Sequence, residues 1–148
     1  MARAARHDTP GGPEKIRLRA ASAVVLDQPR RRIVLVLRGT EPEKGRWSVP
    51  GGRCEPHETF ADAAAREARE ETGLRVAIGE EPWGATAPAG DRGLFEIHDF
   101  AATVLDGRVA PADDAADARW FSPRELDDVS LARGLATRLD RAGVFASP

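Results

Sequence analysis

Two short apolar runs, Ala20–Leu26 and Ile33–Leu37, dominate the first third of the chain. Both are rich in aliphatic residues, and Pro29 and Gly39 follow them, which is typical of strands that end in turns. Three consecutive arginines, Arg30–Arg32, lie between the runs. The pattern predicts a strand pair, and a solvated hairpin tip explains these arginines better than a phosphate-binding site does.

Four later segments share the short apolar pattern of strands. They are Trp47–Pro50, Val76–Trp83, Leu94–Val104 and Arg119–Phe121. Pro50 and the two glycines after it are expected to end the first of these strands. The segment at 84–90 is rich in Gly, Ala and Pro, so it is predicted to be a loop.

The strongest helix prediction covers Thr59–Thr72, which contains neither Gly nor Pro and consists mainly of Ala, Arg and Glu. Thr59 can cap its start, and Gly73 can end it. A second helix is predicted after Ser122, which can form a capping box with Glu125, and a third over Leu131–Ala142. Because strands and helices are interspersed without a regular βαβ order, they favour a mixed sheet covered by helices.

The length of 148 residues fits one compact domain, which we expect at residues 16–148. Residues 1–15 are polar, contain Pro and Gly and lack the apolar stretch of a signal peptide, so they are predicted to form a flexible tail. No apolar run approaches the ~20 residues of a membrane helix. Cys54 is the only cysteine, which excludes an internal disulfide, and a cytoplasmic protein is expected.

The charge balance excludes some classes of partner. The chain carries 22 Lys and Arg against 24 Asp and Glu, a formal net charge of −2. Dedicated nucleic-acid-binding proteins usually have a basic excess, so no stable nucleic-acid partner is expected. With three histidines and one cysteine, a structural zinc site is also disfavoured.

Three glutamates lie close together on the first predicted helix. At about 100° per residue, Glu67, Glu70 and Glu71 project within one sector of the helix. The neighbouring sector is occupied by small residues, namely Ala61, Ala64, Ala65 and Ala68. This side is expected to face the sheet, with the carboxylates along its edge. Like charges on adjacent turns repel, and a divalent ion such as Mg²⁺ or Mn²⁺ would remove that repulsion.

The alternative is a solvated acidic face, in which Arg66 pairs with Glu70. The preceding residues favour the metal site, because the chain has Gly52, five residues, Glu58, seven residues and then Arg66–Leu74. This pattern resembles the signature of the Nudix hydrolases, and all nine specified positions over 23 residues are present. The resemblance implies the Nudix fold, an α/β (α+β) arrangement with a mixed, curved β-sheet sandwiched between α-helices.

By this resemblance, Glu67, Glu70 and Glu71 would be ligands of Mg²⁺, with Mn²⁺ as a substitute. The backbone carbonyl of Gly51 would add a further ligand. Glu67 or Glu70 would also activate the attacking water.

Other residues of the signature have supporting roles by the same resemblance. Arg66 would orient a neighbouring glutamate, and Glu58 would fix the loop to the helix. Gly52 and Gly73 would be structural, at the tight loop and at the helix exit. Ala68 stands where the family usually has a bulkier aliphatic residue, which predicts a closer contact between helix and sheet.

Many family members use an acidic residue outside the signature as a base or an extra ligand. The candidates here are Glu96, Asp113, Asp114 and Asp117. The aspartates precede a segment that resembles the family and are therefore favoured over Glu96, although a solvated acidic loop explains each of them equally well.

Basic residues near the signature are candidates for substrate contacts. They are Arg19, Arg38, Arg46 and Arg53. The last two lie beside the signature and are expected to hold the second phosphate or a ribose, together with Asp117.

The resemblance implies Mg²⁺-dependent hydrolysis of the pyrophosphate bond in a nucleoside diphosphate linked to another group. Pro88, 14 residues after Leu74, and the acidic segment at 113–120 loosely resemble the ADP-ribose pyrophosphatases. ADP-ribose or a similar nucleotide sugar is therefore the first candidate, with (deoxy)nucleoside triphosphates as the alternative. A non-catalytic nucleotide sensor is disfavoured because all three glutamates are present. A homodimer is also expected from this resemblance.

Overall fold

The computed structural model describes residues 17–27, 29, 31–88, 91, 93–112 and 114–144, with the backbone alone at 80–88. The predicted tail at 1–15 and the candidate Asp113 lie outside the described residues. Among the described residues, no helix combines the length and apolar character that crossing a bilayer requires.

Seven strands and three helices make up the described part of the chain. In order they are β1 (Arg17–Asp27), β2 (Arg32–Arg38), β3 (Trp47–Ser48), β4 (Gly51–Arg53), α1 (Phe60–Thr72), β5 (Arg75–Pro88), β6 (Leu94–Asp106), β7 (Ala115–Phe121), α2 (Pro123–Leu126) and α3 (Leu135–Arg141).

The strands form one mixed sheet with β1 at its centre. The order is β3-β2-β1-β6-β5, with β7 paired to β2 and β4 paired to β1. The pair β1–β6 is parallel, and the other pairs are antiparallel. The predicted mixed sheet is therefore confirmed.

β1 changes partner along its length, and this opens the sheet. At its carboxyl end it pairs with β2 through Leu26↔Ile33 and Asp27↔Arg32. At its other end it pairs with β4, from Ala20↔Arg53 to Ser22↔Gly51. β2 therefore diverges from β1 where β4 begins, and the first glycine of β4 lies at the opening.

Alternate residues of β1 and β2 enter two cores on opposite faces of the sheet. On one face, Ala23 and Val34 pack with α1. On the other, Val24 and Leu35 pack with Leu135 of α3. Burial on both faces explains why these strands are continuous apolar runs rather than alternating ones. The sheet thus lies between helices, as predicted.

The boundaries of several elements differ from the prediction. The glycines after Pro50 do not end a strand but begin β4, which pairs with β1. β5 continues through most of the predicted loop to Pro88. Its place at the edge of the sheet explains this, because an edge strand tolerates Pro.

The last helix is shorter than predicted. It begins at Leu135 instead of Leu131, because Gly134 has φ 80° and stands as its N-cap. Leu131 instead forms an isolated β-bridge with Trp47. By contrast, Ser122 forms the predicted capping box with Glu125 at the start of α2.

Candidate active site

Helix α1 forms where the sequence predicts it and brings the glutamates to the sheet. Thr59 Oγ1 accepts a hydrogen bond from the N–H of Asp62 at 3.0 Å. Gly73 ends the helix with φ 80°. Ala64 and Ala68 are fully buried, as predicted. The third buried alanine is residue 63, whereas the predicted residues 61 and 65 are only half-buried. Such small side chains let the helix lie close to β1.

Arg66 connects the loop before α1 to two of the glutamates. Its Nε and Nη2 donate to Glu58 Oε2 and Oε1 at 2.7 and 2.9 Å. Its Nη1 donates to Glu67 Oε2 and Glu70 Oε1, both at 3.1 Å. Nη2 also donates to the carbonyl oxygen of Arg53 at 3.1 Å. A single guanidinium thereby fixes the positions of two glutamate side chains of α1 and joins them to Glu58.

Glu58 holds the loop in place. Besides its two bonds to Arg66, Glu58 Oε1 accepts from the N–H of Glu55 at 2.9 Å. Its carbonyl oxygen accepts from Arg19 Nη2 at 2.9 Å. The hydrogen bonds from Arg66 lower the pKa of the Glu58 carboxyl, which therefore stays ionised and keeps its partner in position.

Glu67 and Glu71 are the least solvated glutamates of the helix. The N–H of Gly51 donates to Glu71 Oε1 at 3.2 Å, whereas the other side of the same peptide group, the carbonyl oxygen of Pro50, accepts from the N–H of Ala23 in β1 at 2.9 Å. A Cβ at Gly52 would lie 2.7 Å from Glu67 Cδ. The residue at this position must therefore be glycine for the carboxylate to approach β4.

Burial changes the acidity of these two carboxyls. Desolvation, with the charge of Glu67 as a second cause, raises the pKa of Glu71 to about 8. Desolvation also raises the pKa of Glu67, although Arg66 opposes it. Two adjoining carboxyls that resist ionisation are a poor arrangement for a metal-free protein. A divalent cation bound between them would reverse the effect.

The donor set fits a hard divalent cation. Carboxylate oxygens are the ligands that Mg²⁺ and Mn²⁺ prefer. Among the described residues, however, no three acidic, His or Cys side chains already converge as a metal site. Glu67 adjoins Glu71, whereas Glu70 is the most exposed of the three glutamates and bonds to Arg66. Glu67 and Glu71 would therefore hold the ion first, and Glu70 would join by leaving Arg66.

We expect the metal-free protein to lose stability between pH 5.5 and 8.5. Because the folded pKa of Glu71 lies above its unfolded value, its contribution is present at low pH and is lost as the pH rises towards about 8. The expected loss over this range is about 3 kcal/mol, measured by urea unfolding in EDTA. Saturating Mg²⁺, or the substitution Glu71→Gln, should flatten the profile. A flat profile for the metal-free wild type would contradict the burial of this charge.

A cavity of about 270 Å³ lies at the opening between β1 and β2. Gly51 and Glu71 form part of its wall. Two arginines, Arg38 and Arg138, also line it. From the sequence, Arg38 was only a lesser candidate and Arg138 was not predicted, because nothing in the sequence shows that the last helix packs over this opening.

The predicted substrate contacts lie elsewhere. The described lining of the cavity includes none of Arg46, Arg53 and Asp117. Arg46 Nη1 donates to the carbonyl oxygen of Leu131 at 3.2 Å, and the side chain of Arg53 is exposed. Asp117 accepts from Arg119 Nε at 2.9 Å and from the N–H that follows it.

The other two described acidic candidates lie on opposite faces of the sheet. Asp114 lines the cavity and stays the better candidate for an additional acid. Glu96 lies near the first turn of α1 and contacts His98 Nε2 at 3.0 Å. That histidine stacks on Phe60 with 3.8 Å between ring centroids, so Glu96 belongs to a cluster beside the helix start.

Comparison with known proteins identifies relatives over most of the chain. Residues 16–141 match the family model described as NUDIX domain. The chain is 33% identical over 122 residues to the ADP-ribose pyrophosphatase of Methanocaldococcus jannaschii, covering 80% of this chain and 72% of that protein. It is 34% identical over 109 residues to a Bacillus subtilis protein whose name provisionally assigns it as an 8-oxo-dGTP diphosphatase, covering 72% and 67%.

A solved structure supports the same grouping. The solution structure of the E. coli ORF135 protein superposes with a TM-score of 0.72 and 26% identity, covering 93% of this chain and 99% of that one. The predicted fold, a mixed, curved β-sheet sandwiched between α-helices, is thus confirmed.

Proposed function

Since the chain belongs to the Nudix hydrolase family, we propose that it hydrolyses the pyrophosphate bond of a nucleoside diphosphate linked to another group, with Mg²⁺ as its cofactor. The predicted enzyme class, a Nudix pyrophosphohydrolase, is confirmed by the family. The observation that carries the proposed reaction is the placement of Glu71 and Gly51 in the wall of a cavity large enough for part of a nucleotide.

The metal ion, when bound, would polarise the phosphate oxygens and lower the pKa of a bound water. Glu67 and Glu71 would hold it, with Glu70 joining as described. The water oxygen forms a bond to one phosphorus, and the bond between that phosphorus and the bridging oxygen of the pyrophosphate breaks. Glu67 or Glu70 would accept the water proton, and the leaving phosphate oxygen keeps the electron pair of the broken bond.

Arg38 is the residue that we propose to hold the phosphates. It lines the cavity beside Glu71, and its charge acts to lower the pKa of that glutamate. Its Nε donates to the carbonyl oxygen of Pro42 at 2.6 Å, which orients the guanidinium without neutralising it. In the described structure its guanidinium has no acidic partner within salt-bridge distance, so its charge is available to a substrate phosphate.

The substitution Arg38→Gln should raise KM by about 10-fold to 100-fold and change kcat less, because a charge-assisted hydrogen bond contributes about 1.5–3 kcal/mol. Steady-state kinetics would measure this. Arg46→Gln is the matched control, since Arg46 lies outside the cavity lining and should keep the wild-type KM. An unchanged KM for Arg38→Gln would contradict this assignment. A larger increase in KM for Arg46→Gln would instead favour Arg46 as the phosphate contact, as the sequence predicted.

ADP-ribose or a similar nucleotide sugar is the first substrate to test, because the relative from Methanocaldococcus jannaschii carries that name. (Deoxy)nucleoside triphosphates are the second class, supported by the Bacillus subtilis relative. The products distinguish the classes, since a nucleotide sugar yields a nucleoside monophosphate and a sugar phosphate, whereas a triphosphate yields pyrophosphate. A cytoplasmic location and a homodimer stay predictions.

The test is turnover with Mg²⁺ across ADP-ribose, other nucleotide sugars, dinucleoside polyphosphates and (deoxy)nucleoside triphosphates. Glu70→Gln and Glu71→Gln run beside the wild type. Cleavage of one class that is lost in both variants would support the proposal. Tight nucleotide binding without any turnover would overturn it in favour of the nucleotide sensor.

A further inference from the structure

An ion pair beneath the cavity joins the sheet to the last helix. Asp99 of β6 is 4% exposed. Arg138 of α3 donates to both of its carboxylate oxygens, from Nε at 2.8 Å and from Nη2 at 2.5 Å. A buried ion pair is weak evidence for stability, because well-packed apolar residues stabilise a protein equally well. Its position suggests a role in the cavity.

The geometry of the pair leaves one edge of the guanidinium unused. Asp99 occupies the edge formed by Nε and Nη2. The opposite edge has two parallel N–H donors, one on Nη1 and one on Nη2. Nη1 makes no hydrogen bond within the described part of the chain, and Arg138 lines the cavity. We call this edge the donor edge of Arg138.

The donor edge differs chemically from Arg38. Asp99 neutralises Arg138, whereas Arg38 keeps its charge. A neutralised guanidinium has little electrostatic preference for phosphate but keeps two directed donors. Two parallel donors match a pair of neutral acceptors, and the O6 and N7 atoms of a 6-oxopurine are the common partners of such an edge.

We propose that the donor edge of Arg138 binds the O6 and N7 atoms of a 6-oxopurine base, so that the enzyme selects guanine-type nucleotides over adenine nucleotides. The walls of the cavity fit the base, because Ala20, Val36 and Ile97 supply apolar contacts. Adenine has an amino group in place of O6 and would set a donor against a donor. This inference rests on the proposed function and keeps its reaction, but it places 6-oxopurine nucleotides ahead of ADP-ribose, whose base is adenine, as the preferred substrates.

The test compares substrates that differ only at position 6 of the purine. These are ITP against ATP, and inosine diphosphoribose against ADP-ribose. The wild type should have a kcat/KM about 10-fold to 100-fold higher for the hypoxanthine member, as expected for one bidentate contact to a base. Calorimetry of IMP and AMP with the metal-free protein should give the same order of affinity without any turnover.

The double substitution Asp99→Asn with Arg138→Gln removes the donor edge and keeps a neutral hydrogen-bonded pair. It should reduce the ratio of kcat/KM for the hypoxanthine member to that for the adenine member to about 1, mainly by lowering the kcat/KM of the hypoxanthine member. The pair Asp99→Leu with Arg138→Met is the second variant if the first melts early. Arg141→Gln, an exposed arginine of the same helix, is the control and should keep the ratio.

The outcomes separate this inference from the proposed function. Equal kcat/KM for both members in the wild type, or a preference that persists in a folded double variant, would overturn the inference alone. Absence of cleavage for every compound would overturn the proposed function. In that case the calorimetric affinities for IMP and AMP still test the inference. Equal affinities would overturn it, and tighter binding of IMP would support it.

Discussion

Glu71→Gln should lower kcat/KM at least about 10³-fold with any substrate that the wild type cleaves, because it removes a negative ligand from the metal site. The amide oxygen can still accept the hydrogen bond from the N–H of Gly51, so the loop should keep its position. The loss would therefore report the missing charge rather than a rearranged backbone. Steady-state kinetics at saturating Mg²⁺ would measure it.

A matched control for this substitution is Glu55→Gln. Glu55 lies in the loop before α1 with an exposed side chain, so its kcat/KM should stay within about twofold of the wild type. The two variants should also differ in stability. Glu71→Gln should be more stable than the wild type at pH 8 without metal, because it removes a carboxyl whose ionisation is unfavourable in the buried site. Wild-type activity in Glu71→Gln would refute the assignment of this glutamate.

Arg66→Gln should have the second largest effect, reducing kcat about 100-fold and the free energy of unfolding by about 2 kcal/mol. The reason is that the guanidinium holds Glu58, Glu67 and Glu70 at once. Without it, the largely buried carboxylate of Glu58 keeps only its bond from the loop backbone. Urea unfolding and steady-state kinetics would measure the two effects.

Two further variants identify the cause. Adding Glu58→Gln to Arg66→Gln should recover part of the lost stability, because the unpaired charge disappears, but should not restore kcat. Arg69→Gln alters an exposed arginine of the same helix and should change neither quantity. If Arg66→Gln kept the wild-type kcat, the network would be a surface ion cluster, which was the alternative left open by the sequence.

Short-range rules were sufficient for the parts of the fold that depend on neighbouring residues. The helix α1, its cap at Thr59 and its end at Gly73 followed from propensity and capping alone. The capping box at Ser122 did so as well. In both cases the interacting residues lie within a few positions of each other, so the sequence contains the whole interaction.

The errors arose where a partner distant in sequence decides the structure. The glycines after Pro50 look like a turn, but pairing with β1 makes them a strand. Pro88 looks like a loop residue, but the edge of the sheet accepts it. The ion pair of Asp99 and Arg138 joins residues 39 positions apart, and no periodicity predicts it. For the same reason Arg46 and Arg53, chosen by nearness in sequence, lie outside the cavity lining described above.

The central claim is that Glu67 and Glu71 hold a divalent cation at the wall of the cavity. The most direct measurement is Mn²⁺ binding by electron paramagnetic resonance, with the free ion counted for the wild type, Glu55→Gln and Glu71→Gln. Wild type and Glu55→Gln should bind Mn²⁺ equally and release it to excess Mg²⁺, whereas Glu71→Gln should bind at least about tenfold more weakly. Equal Mn²⁺ binding by Glu71→Gln and the wild type would contradict the claim.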